Sequence, residues 1–176
     1  MRIIGGQYRG RQLPPPKNFT ARPTTDFAKE GLFNIITNSY NIEEISVLDL
    51  FSGTGSISYE FASRGCTKIT SVEMNIHHYN YIKEVISKFN FSSIHAVRNN
   101  VFDFLNICRL KYDVIFADPP YDLAGLESLP GKILSHSLLN EKGVLILEHP
   151  STYNFEKEPN FLKIKRYGNV HFSFLK

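Results

Sequence analysis

From Ile45 onward the chain alternates short apolar runs with helix-length segments, and that alternation leaves few folds open. Residues 45–50 are a β-rich run ending in the turn Ser52-Gly53-Thr54-Gly55-Ser56, and a helix to Arg64 follows, stopped by Gly65. The pattern continues as strand 68–72, helix 75–89, strand 94–98, helix 101–109, strand 112–117 and strand 144–148. A helix interrupted by Pro130-Gly131 precedes the fifth strand. Residues 161–166 and 170–175, joined at Tyr167-Gly168-Asn169, read as a closing antiparallel hairpin. Upstream, Thr25-Asp26 caps a helix over 26–38, in which Gly31 costs about 1 kcal/mol against alanine. Strands that read as continuous buried runs, each followed by a helix, predict an α/β fold with a mainly parallel sheet covered on both faces. A length of 176 residues suits one such domain.

Composition removes several alternatives. At 42% hydrophobic and 21% charged the chain is neither disordered nor fibrous. Its longest wholly apolar runs, 114–117 and 144–147, are far below the roughly 18 residues of a membrane helix. The N-terminus reaches glycine and Arg9 too early for a secretory signal, so a cytoplasmic protein is expected. Cys66, Cys108 and the six histidines show no ligand spacing, and neither a disulfide nor a metal site is expected.

The net charge of +3 is unevenly spread: residues 1–29 hold six cations and one anion, leaving −2 for the other 147. Glycines and prolines exclude a helix from most of this stretch. Residues 2–4 against 9–13 around Gly5-Gly6 read as a short hairpin, within a basic arm over 1–24 that precedes the main domain over 25–176. Arg2, Arg9, Arg11 and Tyr8 make that arm a candidate for tracking phosphates.

In a sheet of this kind ligands bind beyond the carboxyl ends of the strands. The first strand ends at Asp49-Leu50-Phe51-Ser52-Gly53-Thr54-Gly55, a loop whose glycines let backbone N–H groups approach a ligand. Ser58 stands where a dinucleotide fingerprint has its third glycine, which disfavours NAD. The second strand is followed by Glu73, 18 residues beyond Gly55, the offset of a ribose-binding carboxylate. The fourth is followed by Asp118-Pro119-Pro120-Tyr121, a proline-stiffened cluster of acceptors beside an aromatic plate. Such acceptors can hold the exocyclic amino group of a nucleobase and aim its nitrogen at an electrophile, with Tyr121 stacked on the base. The electrophile implied is the methyl of S-adenosylmethionine. Glu148-His149-Pro150, ending the fifth strand, is in position to border the pocket but is read first as a plain strand end.

These residues resemble the RsmD family of S-adenosylmethionine-dependent methyltransferases, which modify guanine N2 in 16S ribosomal RNA. The similarity includes Arg2-Ile-Ile-Gly-Gly-Gln-Tyr-Arg-Gly-Arg11, Arg22-Pro-Thr-Thr-Asp26, the loop Leu48 to Gly55, Glu73 and Phe116 to Tyr121. The resemblance implies a class I, Rossmann-like sheet of seven strands in the order 3-2-1-4-5-7-6, the last strand antiparallel. It assigns the cofactor to Asp49, Ser52, Gly53, Gly55, Glu73 and Asn100, and the target amino group to Asp118 and Pro119 with Tyr121 stacking. It assigns RNA contact to Arg2, Arg9, Arg11, Arg22 and Thr24, with 16S RNA or the small subunit as partner and the protein a monomer. Phe27, Lys29 and Gly31 replace the family's usual Arg, Arg and Ala, altering the expected RNA face. An adenine amino group as target, or an RNA-binding assembly module without turnover, are the competing readings.

Overall fold

The computed structural model describes residues 1–14 and 25–176; the expected RNA contacts Arg22 and Thr24 lie outside the described residues. Seven strands form one sheet: β1 (Ser46–Leu50), β2 (Lys68–Glu73), β3 (Ile94–Arg98), β4 (Tyr112–Ala117), β5 (Leu139–Pro150), β6 (Phe161–Tyr167) and β7 (Val170–Leu175). Their order is β3-β2-β1-β4-β5-β7-β6, as expected, with β7 antiparallel to both of its neighbours and the other pairings parallel. The order reverses at β1 and β4, which places a ligand-binding crevice beyond their carboxyl ends.

Helices α1 (Asp26–Ser39), α2 (Ser56–Ser63) and α3 (Ile76–Phe89) cover one face through Leu32, Phe33, Ile36, Ile57, Phe61 and Val85. Helices α4 (Val101–Ile107) and α5 (Leu129–Ser135) cover the other through Phe104, Leu105, Leu129 and Ile133. Two helix ends differ in detail from expectation. Pro130 lies in the first turn of α5, where a missing N–H leaves no helical bond unmade, so it starts the helix rather than interrupting it. Helix α4 stops at Ile107, where Cys108 turns to an extended backbone and the Arg109 guanidinium bonds the carbonyls of Asn106 and Cys108 at 2.8 and 2.9 Å. β5 is longer than its apolar run: it pairs with Tyr112 at Leu139 and with Val170 at Pro150.

The N-terminal hairpin forms, with Ile3 N–H donating to Arg11 O at 3.1 Å and Gly10 N–H to Ile3 O at 2.8 Å. It lies flat on the body. Ile3 and Leu13 are buried in the same core cluster as α1 and α2. Ile4 N–H donates to Glu60 Oε1 at 2.6 Å, and Gln7 N–H to Ser63 O at 2.6 Å. Tyr8, expected beside phosphates, instead donates its hydroxyl to Phe89 O at 3.1 Å and packs edge-on against Phe91. Among the described residues no helix is long and apolar enough to cross a membrane.

Candidate active site

Side chains alternate across a strand, so the cluster memberships of neighbouring residues tell which face each strand-end residue takes. Val47, Ile69, Phe116 and Ile146 all pack on the α1–α3 side. Two positions further along the same strands stand Asp49, Ser71, Asp118 and Glu148, and Glu73 follows Ser71 at the end of β2. Four carboxylates therefore gather on one face at the carboxyl edge of the sheet. Among the described residues no three His, Cys, Asp or Glu side chains converge as a metal ligand set.

Asp49 organises the loop after β1 from beneath. Its Oδ2 accepts from Ser58 Oγ at 2.6 Å and from Ser58 N–H at 3.2 Å. Gly55, the N-cap of α2, has no side chain to cap with, so this buried carboxylate satisfies an orphan N–H in the first turn. Burial outweighs the Ser58 bonds and pushes the Asp49 carboxyl up to about 7, with Glu73 adding like charge. Ser58 thus has a use that a third glycine could not serve.

The loop itself is tightly wound. Phe51, Gly53 and Gly55 all have left-handed backbones, with φ of 57°, 54° and 81°. For Phe51 that conformation is costly and is held by its surroundings, since Ser52 N–H and Oγ both donate to Val72 O, at 3.0 and 3.1 Å. A Cβ on Gly55 would sit 2.6 Å from the Tyr59 ring, so the loop closes only with glycine there. A Cβ on Gly53 would meet nothing closer than 3.9 Å, which leaves the ligand side of the loop open.

Glu73 spans the mouth of this loop: Oε2 accepts from Gly53 N–H at 2.8 Å and Oε1 from Asn75 N–H at 2.7 Å. Beyond it, Met74 is exposed, and its Sδ lies 3.6 Å from Asn100 Nδ2. Asn100 Oδ1 caps α4 by accepting from Phe102 N–H at 2.8 Å, which leaves the amide NH₂ facing Met74. An acidic rim beside an apolar wall and an amide donor fits a nucleoside, with hydroxyls toward Glu73 and a base toward Met74 and Asn100.

After β4, Asp118 N–H reaches back to Leu50 O at 3.4 Å, tying Asp118 to the end of β1. Pro119 is buried and Pro120 exposed, and Pro120 O accepts from Leu123 N–H at 2.9 Å, turning the chain. Tyr121 is 45% exposed beside them. Burial pushes the Asp118 carboxyl well above the usual carboxylate range, and the charges of Glu148 and Asp49 push it further. Ala117 pairs with Leu147, so Glu148 is the next residue along on the neighbouring strand. Of the two readings open to Glu148, a plain strand end or a border of the pocket, this register favours the second, by the same rule that singles out Asp118 and Glu73.

Of the expected RNA contacts, Arg9 and Arg11 are exposed and form no ion pair among the described residues. Arg2 is committed to Asp26, 2.8 Å away. Lys29, expected on the RNA face, is buried with its Nζ 3.5 Å from Glu60 and 2.6 Å from Arg2 O, because α1, α2 and the hairpin meet around it.

A family model described as "Conserved hypothetical protein 95" matches residues 1–176. "Ribosomal RNA small subunit methyltransferase D" of Buchnera aphidicola subsp. Baizongia pistaciae is 29% identical over 98% of this chain and 90% of its own length. The protein of that name from Escherichia coli K12 is 30% identical over 84% of this chain and 74% of its own. Among solved structures, a "putative methyltransferase yhhF" of Escherichia coli aligns with TM-score 0.86 at 26% identity, covering 99% of this chain and 96% of that one. A Thermus hypothetical protein, TTHA0928, aligns with TM-score 0.89 at 27% identity, covering 100% and 99%. With a match along its whole length, and with the strand order and strand-end residues described above, the chain belongs to the RsmD family.

Proposed function

We propose that this protein transfers a methyl group from S-adenosylmethionine to the exocyclic N2 of a guanine in small-subunit ribosomal RNA. The observation that carries the reading is the placement of Asp118-Pro119-Pro120-Tyr121 at the carboxyl end of β4, beside the glycine loop of β1 and the Glu73 rim. The names of the relatives support the RNA substrate, and the choice of guanine rests on the family resemblance.

When bound, the cofactor supplies an electrophilic methyl on a positively charged sulfur. Asp49, Glu73, Asp118 and Glu148 crowd the crevice with carboxyl groups, whose mutual repulsion a cation would relieve. A cation in the site also draws the Asp118 carboxyl back down toward ionisation. Ionised Asp118 and the Pro119 carbonyl accept the two N–H bonds of the target amino group. That localises its lone pair, which is otherwise delocalised into the ring, and turns it toward the methyl carbon. Once the amino group is methylated, its nitrogen would shed a proton, and the Asp118 carboxylate beside it would receive it. Tyr121 stacks on the base and fixes its plane, so most of the acceleration is orientation.

The test is methylation of small subunits, or of their naked RNA, from cells lacking the modification, followed by mass spectrometry of nucleosides. N2-methylguanosine is the expected product. N6-methyladenosine would reassign the base, and RNA binding without methyl transfer would leave a binding module.

A further inference from the structure

A surface cavity of about 480 Å³ lies away from the carboxylates, between α1 and the edge strand β6. Phe27, Glu30, Asn34, Asn38, Lys165 and Tyr167 line it. Phe27 is 71% exposed, an unusual position for a phenylalanine, and its ring stands edge-on to Tyr167 at 5.6 Å. Gly31 makes the floor, since a Cβ there would run into the Tyr167 ring. A smaller cavity of about 220 Å³ continues along the same flank past Lys142, Lys163 and Lys176. The flank therefore presents four lysines against Glu30 alone, and none of the four forms an ion pair among the described residues.

This flank leads to the reaction site. β6 runs parallel to β4 and β5, so Tyr167 ends it at the carboxyl edge of the sheet, where Phe27 begins α1. At the far end, the Tyr40 hydroxyl donates to Lys142 O at 2.8 Å. Three strand spacings separate β4 from β6, about 14 Å, which roughly four stacked nucleotides would cover. Lysines on an edge strand also discourage pairing with another sheet, but that leaves the exposed aromatic and its glycine floor without a purpose.

We propose that the α1–β6 groove is a second RNA-contact surface. It takes a base of the single-stranded segment flanking the modified nucleotide against Phe27 and Tyr167, with the lysines on the phosphates that follow. This rests on the RNA-methyltransferase reading above.

The experiment is direct binding of a small-subunit RNA fragment to the full chain across a salt series, alongside steady-state methylation. Phe27→Ala should weaken binding roughly tenfold without changing the salt slope. Lys163→Glu/Lys165→Glu should weaken binding and lower the slope by about two units or more. Both should raise KM for RNA with kcat and cofactor affinity unchanged, while Lys68→Glu, exposed at the amino end of β2 and five strands from β6, should behave as wild type. Unchanged RNA binding in both groove variants overturns the inference, and so does a loss confined to assembled subunits, which would identify a protein partner. Wild-type protein that binds RNA through this groove but methylates none would remove the functional reading and leave the groove standing. Wild-type protein that binds no RNA removes both.

Discussion

Lys29 Nζ lies 3.5 Å from Glu60 Oε1, and both side chains are buried where α1, α2 and the N-terminal hairpin meet. The same carboxylate oxygen accepts from Ile4 N–H, and the same ammonium donates to Arg2 O, so one ion pair fastens three segments. Lys29→Ala leaves buried Glu60 with Arg64 alone, 3.5 Å from its other oxygen, and takes the donor from Arg2 O, so it should cost less than the about 3–5 kcal/mol of a fully broken buried pair in chemical denaturation, but still more than a surface change. A Lys29→Met/Glu60→Gln double variant should recover part of this, because the amide still accepts from Ile4.

Asp49 is expected to trade stability for function. Its carboxyl is raised to about 7 in the folded protein, so ionising it opposes folding; the stability it contributes is full at acid pH and lost as pH rises through 7. Asp49→Asn keeps an acceptor for Ser58 and removes that penalty. The variant should melt higher than wild type at pH 8, with the gap closing toward pH 5, and should bind S-adenosylmethionine more weakly in calorimetry.

Asp118 must be ionised to accept from the amino group, and Glu148 raises its pKa. The single-turnover methylation rate should therefore rise with pH, and Glu148→Gln should move the midpoint to lower pH by removing a like charge. Asp118→Ala should lower the rate at every pH by far more than it weakens RNA or cofactor binding. An unmoved midpoint in Glu148→Gln would separate the two carboxylates.

Tyr121 offers a ring rather than an acid or base. Tyr121→Phe should be mild and Tyr121→Ala severe in single-turnover assays at saturating cofactor and RNA, since stacking needs the ring.

Arg9 and Arg11 are exposed cations of the hairpin that form no ion pair among the described residues. Replacing both with alanine should lower the salt slope of RNA binding by about two units and leave the melting temperature unchanged. The contrast with Lys29→Ala tests the division between contact and support.

The strands and helices, the hairpin and the carboxylates after β1, β2 and β4 were legible because they follow from short-range pattern: buried runs, glycine turns, and polar residues closing apolar strands; the strand order came only with the family resemblance. What depends on distant partners was not. Lys29 reads as a surface cation on a helix until Glu60 appears beside it, 31 positions later. Gly31 reads as a weakness until the Tyr167 ring fills the space a side chain would need. Ser58 reads as a missing glycine until it bonds Asp49, and Glu148 as a strand end until β5 is set beside β4.

The hairpin's anchorage also orders events during synthesis. Ile4 bonds a residue 56 positions later, in α2, and the Tyr8 hydroxyl bonds a carbonyl 81 positions later, so the first contact waits for α2 and the second for the end of α3. Closing such long loops is slow compared with forming a local helix. Residues 1–13 are therefore synthesised early and settle late, and until they do, the apolar patch that receives Ile3 and Leu13 is open to any other chain nearby.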